Sequence, residues 1–274
     1  MSPATSVIDH DGRGDMLLRV DSVDFVRGGT TILDDVSMTV RRGQRWALIG
    51  PNGAGKSTLV SLLGAVAHPT RGTVEVLGYR LGRVDVRELR AHVGLVTSRH
   101  DLRSDLDPFS VALTGATGTL ELVPRWQPAN AQVERARALL TQFGVDPDRG
   151  LRWSTMSQGE RGRTLIARAL MPDPAVLLLD EATTGLDVAA REQLLTTLDD
   201  LAASHPALGI VTVTHHFEEL PASTTHAVLL RAGKVVAAGT ADDVLTTGLV
   251  STAFAHPIQI ARTNGRWTAR AASA

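Results

Sequence analysis

The stretch with the most chemistry in this 274-residue chain is Gly50-Pro51-Asn52-Gly53-Ala54-Gly55-Lys56-Ser57. An apolar run, Arg45-Trp46-Ala47-Leu48-Ile49, leads into it, and Thr58 opens a helical pattern of Leu59, Leu62, Leu63 and Val66. Glycines let the backbone wrap, so that amide N–H groups and a helix start face the β-phosphate of a nucleotide. Lys56 then bridges the β- and γ-phosphates, and Ser57 supplies a hydroxyl ligand for Mg2+. A glycine-rich turn before a helix is common; Lys-Ser placed at the helix start after a buried strand is not. Only two of the 28 basic residues, Lys56 and Lys234, are lysines, so a compact ammonium stands out at Lys56. Lys234, in a polar turn, reads as coincidence.

A second group lies at Leu177-Leu178-Leu179-Asp180-Glu181, where a buried strand ends in two acids. Burying an unpaired charge is costly, so two acids there need a reason. Asp180 can hold the Mg2+ shell, while Glu181, directed differently, can polarise an attacking water as general base. The plainer alternative is an acidic cap for the next helix, but the phosphate loop already calls for such a strand end.

Met156-Ser157-Gln158-Gly159-Glu160 lies between the two. By itself, Ser157 followed by Glu160 is a helix capping box. Together with the other motifs, in order over residues 17–245, it resembles the signature of the ATP-binding cassette family. The resemblance implies an α/β fold: a RecA-like phosphate-loop core, an antiparallel β subdomain and an inserted helical subdomain. It also implies an ATPase that uses ATP and Mg2+ in a head-to-tail dimer with a second copy.

In that arrangement Ser157, Gln158 and Gly159 cap the γ-phosphate held by the other subunit, at a helix start suited to anions. Thr184-Gly185-Leu186-Asp187 looks like the loop after the acidic strand, with Asp187 linking the two active sites. His215 looks like the switch histidine that contacts the γ-phosphate and water. Its neighbour His216 reads as a surface or structural histidine.

Two positions depart from the family pattern. Where a Gln usually reaches toward Mg2+ after the strand 93–96, the register gives Thr97-Ser98. Where an aromatic usually stacks on adenine, it gives Arg27, whose guanidinium can do the same or sit solvated in the turn; Phe25 alternates to the same face as a second candidate. Glu160, Ser98 and the run His215-His216-Phe217-Glu218-Glu219 are similar to the stand-alone molybdenum-transport or photorepair-associated subgroup. The main expectation is a subunit that energises an integral membrane permease from the cytoplasmic face. The rival is a cassette ATPase acting on nucleic acid or ribosomes, though the coiled coils, zinc modules or second cassette of such proteins are not found here.

These motifs need elements to position them. Alternating residues 18–21 and 36–40 read as antiparallel strands, and 93–96 as a short strand. Residues 101–170 read as mainly helical, including 130–143 and 162–168. Continuous apolar runs at 176–179 and 210–213 read as buried parallel strands, with helices at 188–203 and 217–220. A hairpin at 227–238 closes the domain. The expected layout is a loose tail over 1–16, a domain over 17–247 with its helical subdomain at about 97–169, and a short extension over 248–274 containing a hairpin at Asn264-Gly265.

Composition agrees. The chain is 43% hydrophobic, enough for a core, and has no cysteine, which removes disulfides and thiolate zinc sites. A formal charge of -1 offers no broad attraction to nucleic acid or anionic lipid. No apolar run reaches the roughly 18 residues that span a bilayer, so a permease must be another polypeptide.

Overall fold

The computed structural model describes residues 14–97, 102 and 104–272. The chain opens with two 12-residue strands, β1 (Met16–Arg27) and β2 (Thr30–Arg41), paired antiparallel around Gly28-Gly29. Next come β3 (Arg45–Ile49), α1 (Lys56–Leu63), β4 (Arg71–Val76), β5 (Tyr79–Arg80), α2 (Val86–Arg90) and β6 (Val93–Thr97). Strands β2-β1-β4-β5 form one antiparallel sheet. Helix α1 is shorter than the pattern suggested: it stops at Leu63, the chain reverses through Ala65 at φ 53°, and Val66 is left 54% exposed.

Three helices make up the insert: α3 (Pro108–Thr117), α4 (Asn130–Gln142) and α5 (Gln158–Leu170). Asp107 caps α3 by accepting from the Ser110 N–H at 2.8 Å. Val111, Leu140, Phe143 and Ile166 bury themselves against Leu177 and Leu179 of β7 (Val176–Asp180) and Leu194 and Leu198 of α6 (Val188–Ser204). The insert therefore shares its core with one face of the main sheet. The position expected for the family's Gln, Ser98, lies outside the described residues.

The main sheet has the order β10-β9-β3-β8-β7-β6, with β8 (Gly209–Thr214), β9 (His226–Arg231) and β10 (Lys234–Thr240) completing it. Five strands run parallel and β10 closes the edge antiparallel. All six residues of β8 are buried, as the continuous apolar runs require of a strand covered on both faces. Lys234 pairs with Asp34 of β2 at 3.0 Å, an exposed contact of little energetic weight.

After β10 come α7 (Ala241–Val244), α8 (Thr247–Phe254) and the hairpin of β11 (Ile258–Thr263) and β12 (Arg266–Ala271), which turns at Asn264-Gly265. Residue 248 falls inside α8. Val250, Ala253 and Trp267 pack in one cluster with Ala47 and Ile49 of β3 and Phe217 beyond β8. Among the described residues, no helix is long and apolar enough to cross a membrane.

Candidate active site

The loop between β3 and α1 is shaped by its surroundings as much as by its own glycines. A side chain at Gly50 would place its Cβ 2.3 Å from the Leu230 carbonyl oxygen, which backbone cannot move to accommodate. Gly55 sits at φ 100°, and a Cβ there would lie 2.7 Å from Leu33 of β2. Asn52 and Gly53 are exposed at the crest, and buried Ala54 anchors the loop by accepting the Gly233 N–H at 3.1 Å. Gly55 caps α1 without a side-chain hydrogen bond, so the first-turn amides around Lys56, Ser57 and Thr58 remain available to an anion.

Lys56 is 6% exposed and donates to the Gly50 and Pro51 carbonyl oxygens at 2.8 and 3.1 Å. Burial lowers its pKa, opposed by the charges of Glu181 and Asp180. Asp180, at the C-terminal end of β7, is pushed the other way: burial raises its pKa, the Ser57 hydroxyl and Lys56 oppose the rise, and Glu181 adds to it. Ser57 donates to this carboxylate, yet Asp180 Oδ1 is buried with no hydrogen-bond partner among the described residues. An orphaned carboxylate oxygen beside a serine hydroxyl is a hard-oxygen donor set, and it fits Mg2+.

Glu181 follows at φ 53°, a left-handed conformation unusual for a side chain longer than Asn, and its N–H donates to the Val213 carbonyl at 3.1 Å. Its carboxylate reaches the residue just past β8, with Oε1 3.4 Å from His215 Nδ1. Replacing Glu181 with Gly is expected to give a protein about 1 kcal/mol more stable than replacing it with Ala, or roughly 2–4 °C in Tm. Both variants lack the carboxylate, so their difference reads backbone strain; an Ala variant melting higher than the Gly variant would refute the strain.

His215 lies just past β8 with Nδ1 3.4 Å from Glu181 Oε1, close but too poorly aligned for a hydrogen bond. Its ring tilts against that of His216 at 4.0 Å between centroids. His216 thus touches His215 directly, a contact that its own residue type did not signal. Thr214 and Glu219 shape the same segment, a role that their residue types do not announce. The Thr214 hydroxyl accepts the His216 N–H at 3.0 Å and bonds the Glu219 carboxylate, closing the segment around His215.

Ser157 caps α5 in the reciprocal arrangement its spacing suggested. Its hydroxyl accepts from the Glu160 N–H at 3.2 Å, and its own N–H donates to Glu160 Oε2 at 2.9 Å. Ser157 and Gln158 are exposed, whereas Gly159 is buried beside Leu186 and Ala190. Gln158, Thr97, Glu181 and Thr184 line one cavity of about 170 Å³, which brings the start of α5 beside the acidic end of β7. Asp187 caps α6, accepting the Ala190 N–H at 2.7 Å. Arg27 is exposed at the tip of the β1–β2 hairpin, opposite Thr30. Phe25 is partly buried against the core, whereas Arg27 is exposed.

A glycine-rich loop and buried lysine at one strand end, with paired acids and a histidine at the next two, define a phosphate-loop nucleotide hydrolase. The description "ABC transporter" matches residues 33–184. An ABC transporter ATP-binding protein of Bacillus subtilis, YlmA, is 40% identical over 89% of this chain and 93% of its own length. The cobalt import ATP-binding protein CbiO of Rhodobacter capsulatus is 39% identical over 80% of this chain and 76% of its own length. The fold is also that of cbiO1 from Clostridium perfringens, with a TM-score of 0.74 at 23% identity over 87% of this chain and 94% of that one. The chain belongs to the ABC transporter family, as an ATP-binding, ATP-hydrolysing subunit.

Proposed function

We propose that two copies of this chain sandwich two ATP molecules head to tail and use their hydrolysis to drive a separate integral membrane permease. The observation that carries the site assignment is Asp180 Oδ1, unpartnered among the described residues, beside Ser57, Lys56 and Glu181. Lys56 leaves the Gly50 and Pro51 carbonyls for the β- and γ-phosphates, joined by the loop amides from Asn52 to Thr58. Ser57 and Asp180 would hold Mg2+, which would supply positive charge against the negative charge of the phosphate oxygens. Glu181 takes a proton from water, whose oxygen bonds the γ-phosphorus as the bond to the β–γ bridging oxygen breaks. His215 donates a hydrogen bond to the transferring group, and Ser157, Gln158 and Gly159 of the facing copy cap it.

A groove of about 600 Å³ between the lobes, lined by Val66, Arg87 and Arg90 on one side and Ala116, Thr117 and Arg168 on the other, supports a protein partner. The test is to fractionate the cells that encode the chain. It should sediment with membranes, stay with them in high salt, and cross-link to an integral protein through a cysteine at Val66. Recovery in the soluble fraction bound to nucleic acid or ribosomes would overturn the permease reading.

Arg27 is assigned to stack on adenine. Arg27→Ala should weaken ATP binding by about 1 kcal/mol, leave inorganic triphosphate binding unchanged, and be rescued by Arg27→Tyr. Equal weakening of both ligands would make Arg27 a distant phosphate attractor and end the stacking assignment.

A further inference from the structure

The C-terminal hairpin reaches back to the segment after β8 and to helix α6. Segment 214–219 is closed by Thr214, whose hydroxyl holds the His216 N–H and the Glu219 carboxylate, so His215 rides on a turn with fixed ends. Behind the turn, Phe217 is buried in the cluster that holds Trp267. Its outer edge is held by β12. Arg266 Nη2 donates to the Glu218 carbonyl at 2.8 Å, and the Ala269 N–H donates to Glu218 Oε1 at 3.2 Å. The same guanidinium donates to Glu192, from Nη1 to Oε2 at 2.8 Å and from Nη2 to Oε1 at 3.4 Å, on α6 five residues after its cap Asp187.

From this geometry we infer that Arg266 is a positioning residue for ATP hydrolysis: it ties the turn that carries His215 to the helix that Asp187 caps. The inference rests on the reading of His215 as a group that contacts the γ-phosphate. A guanidinium suits the task because its donors are fixed in one plane, so the directions to Glu218 and Glu192 cannot vary independently. A lysine, as a single point charge on a flexible stem, satisfies either partner without fixing the angle between them. The arginine head is not what seats the hairpin. Trp267 is 5% exposed in the core cluster, and Arg262 pairs with Asp242 of α7 at 2.7 Å while lying over the Trp267 ring at 5.1 Å. Removing the head should therefore loosen the tie and leave the hairpin in place.

The test combines steady-state ATPase kinetics with single-turnover phosphate release. Arg266→Ala should lower kcat about tenfold, with KM for ATP within about twofold, and Arg266→Lys should not restore it. Glu192→Gln, which alters the same contact from α6 and leaves Arg266 in place, should show part of the loss and keeps the test open should Arg266→Ala fold poorly. Added to His215→Ala, Arg266→Ala should cause little further loss, because the tie acts through the histidine's turn. Normal turnover in His215→Ala removes the reading of His215 and this inference with it. An impaired His215→Ala combined with normal turnover in Arg266→Ala, or with a fully multiplicative loss in the double variant, overturns the tie alone.

Discussion

Glu181→Gln should bind ATP normally, hydrolyse it at least ~100-fold more slowly, and accumulate as an ATP-bound dimer. The side chains are nearly the same shape, and the backbone at φ 53°, held by the Val213 carbonyl, is set by the turn and not by the carboxylate. What the amide lacks is a site for the proton of the attacking water. With Lys56, Ser57 and Asp180 untouched, the nucleotide stays bound and the sandwich cannot reopen by hydrolysis. Near-wild-type turnover in a phosphate-release assay would exclude Glu181 as base. Slow turnover with no dimer in ATP, measured by light scattering, would leave the base in place and count against the sandwich.

A mixture of Lys56→Ala and Ser157→Arg subunits should recover activity that neither variant has alone. Each homodimer contains two defective sites. In the mixed dimer the intact phosphate loop of one copy meets the intact Ser157 segment of the other, giving one working site. Random mixing gives about half mixed dimers, so recovery of about a quarter of wild-type activity is expected if sites work independently. Ser157→Arg also removes the α5 cap, which costs about 1 kcal/mol. Its melting temperature must therefore be measured beside its activity. A mixture that stays inactive while both variants fold and bind nucleotide would refute the shared site.

Several features of this chain are local, and the sequence alone settles them. The capping box at Ser157 and Glu160 closes within four residues through its own hydrogen bonds, whatever packs around it. Buried parallel strands at 176–179 and 210–213 follow from apolar runs that no one-sided sheet would carry. The loop at Gly50–Ser57 is legible because its glycines and its lysine come in one short run.

Other features depend on residues far apart in the chain, and only the tertiary structure decides them. Gly50 is required by the Leu230 carbonyl, a contact that β3–β9 pairing creates. Phe25 packs against a core cluster assembled from distant strands while Arg27 stays exposed at the hairpin tip, a difference that strand periodicity does not carry. The Asp180 oxygen is orphaned by burial at the meeting of β7 with α1, so its readiness for a cation cannot be read from Asp-Glu alone. The tie from Arg266 to Glu192 and Glu218 spans 74 and 48 residues. One arginine among many has no periodicity or spacing to announce such a role; the fold that brings three distant backbone segments together confers it.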